Sequence, residues 1–136
     1  MFLRRRASAT PAPAGRRRGE RGSTSIEAVI VFPVFILVVF TIVQGSLWYS
    51  ARSAAQATAT TAMNAARTYQ STAEEGKSAG DTFLARHTII HNGAVNVNLT
   101  NTTVTVTVTG RSASIIPGFA PEVSSTVTGP VERYVN

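Results

Sequence analysis

The sequence predicts an α+β protein: a single transmembrane N-terminal helix continuing into a stalk, then a second helix and a small antiparallel sheet of about three strands. Three observations predict it. From Ala28 to Ala51 there are 24 consecutive uncharged residues, about 36 Å of helix against a hydrocarbon slab of ~30 Å. Residues 50–70 hold eight alanines and neither glycine nor proline, so nothing in them ends the helix. After Gly93 the apolar period changes from that of a helix to two, the mark of strands with one buried face.

The apolar run reads as a membrane span of about residues 28–49. A core helix of a soluble domain would be amphipathic, whereas Val29 to Phe40 is apolar on every face except for Pro33. A secretory signal peptide has a shorter apolar centre, of roughly 7–15 residues, closed by a small-residue cleavage motif. Trp48 and Tyr49 fall where the outer interface belongs and are expected to anchor there, since their rings have one apolar and one wet part. Pro33 cannot donate its amide and is expected to kink the helix mildly.

The net charge of +6 acquires meaning once divided along the chain. Residues 1–22 carry seven arginines, among them Arg16, Arg17, Arg18 and Arg21, against one acid, Glu20. Residues 23–136 carry six basic and six acidic side chains. The whole excess precedes the span, and cations flanking a span are retained in the cytoplasm. The expected topology is therefore a single-pass protein of the cell membrane, N-terminus cytoplasmic and C-terminal domain extracytoplasmic. No nucleic-acid partner is expected, because the basic run has no interleaved aromatic and no fold to present it. Three parts follow: a basic leader over 1–22, expected to lack order; a transmembrane helix and stalk over 23–70; and an extracytoplasmic α+β domain over 71–136.

In the stalk, small residues recur four apart at Ala51, Ala55 and Ala59 and at Ala62 and Ala66. Such spacing lets another backbone approach closely, either a neighbouring stalk or the chain's own domain. The second helix is expected within Ser71–His91, its start anywhere from Thr72 to Gly80 because Gly76 and Gly80 weaken the first half, with Phe83, Leu84, His87 and Ile90 on one face, Ser78 and Asp81 resembling a capping box, and Asn92-Gly93 as its stop. Strands are expected around Val95–Leu99, Val104–Val108 and Val123–Thr128, the first two joined by a hairpin at Thr100–Thr102. The apolar loop Ser114–Ala120 is expected either to cover one end of the sheet or to dip toward a partner, the first being favoured.

Chemistry of the enzymatic kind is not expected. The chain has no cysteine, which excludes disulfides and thiolate metal sites. His87 and His91 stand four apart, but Thr88 occupies the place of the general-base glutamate in H-E-x-x-H. Neither a phosphate-binding glycine loop nor an activated serine is evident, so no cofactor, metal or catalytic residue is assigned. Asn98-Leu99-Thr100 and Asn101-Thr102-Thr103 match the glycosylation sequon, which an Asn/Thr-rich strand pair meets by chance.

Glu27 is the informative residue, a lone acid at the mouth of the span. A charge forced unpaired to the bilayer centre costs roughly 2.5–3.5 kcal/mol. Five positions before it is Gly22, preceded by arginines and followed by Ser23, Thr24 and Ser25.

This arrangement resembles the prepilin-peptidase site of type IV pilin-like proteins, a basic leader ending in glycine with a glutamate at the fifth mature position. More closely, Arg21-Gly22, Glu27, Ala28, Pro33 and Gln44-Gly45 resemble the N-terminal segment of TadE-like proteins, minor pseudopilins of tight-adherence (Flp/Tad) pili, over about residues 20–65. Ala28 departs from the pattern, since an aromatic is common after the glutamate. The resemblance implies cleavage between Gly22 and Ser23 by a prepilin peptidase and a register or processing role for Glu27. The partners it implies are other pilins and pseudopilins and the pilus assembly platform, beside the lipid bilayer. The alternative is an uncleaved, membrane-anchored extracytoplasmic binding domain.

Overall fold

The computed structural model describes residues 20–133, with side chains from Ser25 onward; the expectations for residues 1–19, including Arg16, Arg17 and Arg18, lie outside them. The element order is α1 (Glu20–Arg67), α2 (Ala73–Ala85), β1 (Ile90–Leu99), β2 (Thr103–Ser112) and β3 (Glu122–Pro130). The three strands form one antiparallel sheet in the order β1-β2-β3, and the class is α+β as expected. The described residues fall into two units, one ending at Ile36 and the other starting at Leu37. Within the first, α1 passes through Pro33 without a break, and its large apolar side chains from Ile26 to Ile36 are exposed.

The core of the second unit begins on α1. Ala51, Ala54, Ala55, Thr58, Ala59, Ala62, Met63 and Ala66 are all buried, and their alternating steps of three and one keep them on a single helical stripe. They join one hydrophobic cluster with Leu84 of α2, Ile90 and Val95 of β1, Val104, Val106 and Val108 of β2, and Val123 of β3. The three valines of β2 are completely buried, each contributing roughly 1.5–3 kcal/mol. Between them Thr105 and Thr107 face outward, where their hydroxyls pair with Thr128 at 3.2 Å and Thr126 at 3.1 Å. The alternation of valine and threonine thus reads directly as inner and outer face. Of the two occupants weighed for the alanine stripe, it is the chain's own domain that lies on it.

The second helix begins at the early limit of the expected range and ends sooner than expected. Its cap is Thr72, whose Oγ1 accepts from the Glu75 amide at 3.2 Å while Glu75 Oε2 accepts from the Thr72 amide at 3.1 Å. This T-x-x-E box takes the place of the expected Ser78–Asp81 pair, its glutamate being long enough to reach back to the cap's own amide. Ser78 and Asp81 lie inside α2, where Asp81 takes Lys77. The helix ends at Ala85 with Arg86 as C-cap, short of the β-branched run Thr88-Ile89-Ile90. Leu84 and Ile90 do share the core, but Ile90 reaches it from β1, paired with Ser112. His87 lies in the turn after α2 and His91 in β1, so they are not neighbours on one helical face. Asn92-Gly93 is no helix stop; it forms a bulge in β1, with Asn92 at φ 51 and the register shifting between His91 and Ala94. A left-handed Asn followed by Gly serves a helix end and a bulge equally well, which is why local sequence misplaced it.

Gly76 and Gly80 weaken α2 as an isolated helix, yet with Leu84 they are its buried residues. A Cβ at Gly76 would meet the Ala66 Cβ at 2.5 Å and the Ala62 carbonyl oxygen at 2.9 Å. One at Gly80 would meet the Ala62 Cβ and a Val95 methyl, each at 2.9 Å. Two small residues four apart on α2 therefore lie against two on α1, and the backbones approach where side chains are missing.

Two outcomes are expected. Gly76→Ala gains up to ~1 kcal/mol of helix propensity but overpacks a rigid contact at a cost of roughly 1–3 kcal/mol, so the melting temperature of the detergent-solubilised chain should fall; an unchanged or raised value contradicts the close approach. Hydrogen bonds from the Ser71 hydroxyl, first, and the Thr72 amide hold the Glu75 carboxyl below the usual carboxylate range. A carboxyl lowered in the folded state stabilises above its unfolded pKa, and that contribution is lost as pH falls through its folded pKa. Amide-exchange protection in the first turn of α2 should accordingly drop on acidification, and Glu75→Gln should remove that pH dependence.

Candidate functional site

The features of interest lie on α1 and on one loop. The Gly22–Ser23 bond lies in the helical stretch described from Glu20 onward. Arg21 is in the same stretch, one position before Gly22. Glu27 lies one turn further on and is exposed. The ion pairs among the described residues, Arg67–Glu132, Lys77–Asp81 and Arg111–Glu122, do not involve it.

From Ile26 to Val43 the apolar side chains of α1 stay exposed, and one 18-residue window reaches a mean hydropathy of 2.9. The helix is long and apolar enough to cross a membrane. Trp48 and Tyr49 close this stretch, 38% and 68% exposed. The guanidinium of Arg52, the first charge after the run, lies 5.7 Å from the Trp48 ring centroid, within range of a cation–π contact.

Polar residues inside the run satisfy themselves in two ways. Thr41 and Ser46 donate to the carbonyls of Leu37 and Ile42, at 2.8 and 2.9 Å, one turn back on the same helix. Gln44 instead turns to the β2–β3 loop. Its Oε1 accepts from the Ser114 hydroxyl at 2.9 Å and from the Ile115 amide at 3.2 Å. Gln44 is only 7% exposed, and its Nε2 is buried without a hydrogen-bond partner among the described residues. Gln44, Ala51 and Thr58 are seven apart and all buried, so Gln44 stands at the start of the stripe that carries the core.

The β2–β3 loop does not meet the favoured of its two expectations, a cover over the sheet end. Rather than tucking its apolar side chains over the end of the sheet, it leaves Ile115 and Ile116 each 41% and Phe119 50% exposed. Its ends are tied by the Ser112 amide to the Pro121 carbonyl at 2.9 Å, and a tight turn from Ile116 to Phe119 holds Gly118 at φ 77. The short span between the tied ends gives these side chains no route back to the core.

The Gln44–Ser114 bond escaped sequence reasoning. Its signal was available: a primary amide in an otherwise apolar run cannot satisfy four hydrogen bonds on its own helix and so requires a partner elsewhere. His87 stacks on Phe83 with centroids 4.6 Å apart, its Nδ1 2.9 Å from the Phe83 carbonyl oxygen. No group of three potential metal ligands occurs among the described residues.

No curated protein and no solved structure matches the chain. A family model does: residues 22–68 match the one described as TadE-like protein. That segment starts at Gly22 and takes in Glu27, Pro33, Gln44 and the buried stripe down to Ala66, so the similarity to TadE-like proteins covers α1 from the candidate cleavage glycine to its end, about a third of the chain.

Proposed function

We propose that the chain is a TadE-like pseudopilin, a structural or assembly subunit for tight-adherence pilus biogenesis and thereby for adhesion, and not an enzyme. The observation that carries this is the family match over residues 22–68, which coincides with a helix whose first 24 residues past Glu27 are uncharged. In this reading α1 spans the cell membrane once, with the arginine-rich leader in the cytoplasm and the sheet outside. Its partners are the bilayer, other pilins and pseudopilins, the assembly platform and a prepilin peptidase.

The spacing of Gly22 and Glu27, with the arginine-rich segment ahead of them, supports processing between Gly22 and Ser23. Cleavage there removes the entire +6 excess and creates an α-amino group four residues before Glu27. In a bundle of such helices the exposed carboxylate can pair with the amine of a neighbouring subunit, which offsets its desolvation and fixes axial register.

Intact-mass measurement of the protein extracted from membranes of a host with its pilus genes should give a chain beginning at Ser23; the full 136 residues would favour an uncleaved, membrane-anchored binding domain. Glu27→Gln should insert normally but impair pilus assembly, and normal pili from that variant would remove the register role.

A further inference from the structure

Among the described residues, the exposed large hydrophobics fall on α1 before Ser50 and on the loop at Ile115, Ile116 and Phe119, with Tyr69 alone elsewhere. The loop is remote in sequence from the helix but fastened to it, through the two bonds that Gln44 Oε1 accepts. Gln44 lies one helical turn, about 6 Å, before Trp48, on the side of the apolar run. If Trp48 sits at the headgroup level, the loop backbone at Ile115 sits below it, at the edge of the hydrocarbon.

We infer that the β2–β3 loop is a second membrane anchor, inserting Ile115, Ile116 and Phe119 into the outer leaflet, with Gln44 as the tether that sets its depth. The inference rests on the reading of α1 as a membrane span. Residues 113–121 contain no charge, and the nearest charged side chains, Arg111 and Glu122, stand at the two stems of the loop, 3.5 Å apart and solvent-facing. That is the arrangement of an apolar tip with a polar collar, suited to an interface between water and lipid. The opposite end of the sheet differs: the Thr100–Thr102 hairpin is polar and lies a full strand away, about 30 Å at ~3.4 Å per residue. The same insertion accounts for the fate of Gln44. An amide in an apolar run is tolerated where it is shielded, and the loop supplies both its hydrogen-bond donors and its cover.

The natural absence of cysteine allows a direct test on the full chain. Single-cysteine variants Leu37→Cys, Phe119→Cys and Asn101→Cys, each carrying an environment-sensitive fluorophore, are reconstituted into phosphatidylcholine/phosphatidylglycerol vesicles with a nitroxide on the upper acyl chain. The labels at 37 and 119 should both be blue-shifted and lose intensity to the lipid nitroxide, while the label at 101 is quenched only by aqueous iodide. Adding Gln44→Leu should release the loop, so that lipid quenching is lost at 119 and retained at 37. Lipid quenching at 37 with iodide quenching at 119 would overturn the inference and leave the span standing. A label at 119 shielded from both quenchers would also overturn it, by placing the loop against protein. No lipid quenching at 37 would remove the span itself, and the inference with it. Undiminished lipid quenching at 119 in the Gln44→Leu background would overturn the tether.

Discussion

The close approach of the small-residue face of α1 to the inner face of the sheet is the contact on which the rest of the structure depends. A three-stranded sheet with one apolar face is marginal alone and needs a cover, and with no cysteine in the chain no covalent staple can replace one. The cover is a helix whose buried positions are almost all alanine, so the valines of β2 are completely enclosed although α1 brings little bulk of its own. The two glycines of α2 extend the same logic sideways. Small residues make the contact tight, and the resulting enclosure of the valines does most of the stabilising.

One continuous helix thereby serves two surroundings. Before Ser50 its large apolar side chains are exposed, a condition stable only where the solvent is itself apolar or where other apolar surfaces cover them. After Ala51 the exposed positions of α1 are polar apart from Ala57, and the buried ones small apart from Met63. The change occurs around Trp48, Tyr49 and Arg52, where an interface has use for rings and a cation. Gln44 belongs to both regimes: it is a member of the apolar run by position and of the domain core by burial.

Much of this was legible from residues alone, and the failures have a common cause. The helix, its continuation past the apolar run, the three strands and the Thr100–Thr102 hairpin follow from period and composition, because each depends on local pattern. The C-terminal end of α2 and the role of Asn92-Gly93 were misplaced because the deciding interactions are not local: Ile89 accepts from Ala113 and Ile90 pairs with Ser112 across the sheet, which draws the end of the expected helix into a strand. Gly76 and Gly80 read as weaknesses until Ala62 and Ala66 were seen opposite them. The partner of Gln44 lies 70 residues away, beyond any window of periodicity, although the need for a partner was visible in the residue type.

The claim that α1 crosses a membrane and delivers its C-terminal extension as the core of an outer domain is tested most directly by thiol accessibility in right-side-out membrane vesicles. In vesicles from a host without a prepilin peptidase, where the leader stays attached, Asn98→Cys should react with a membrane-impermeant maleimide while sealed, and Ala7→Cys only after lysis. The reverse pattern, or reaction at both positions in sealed vesicles, would contradict the account.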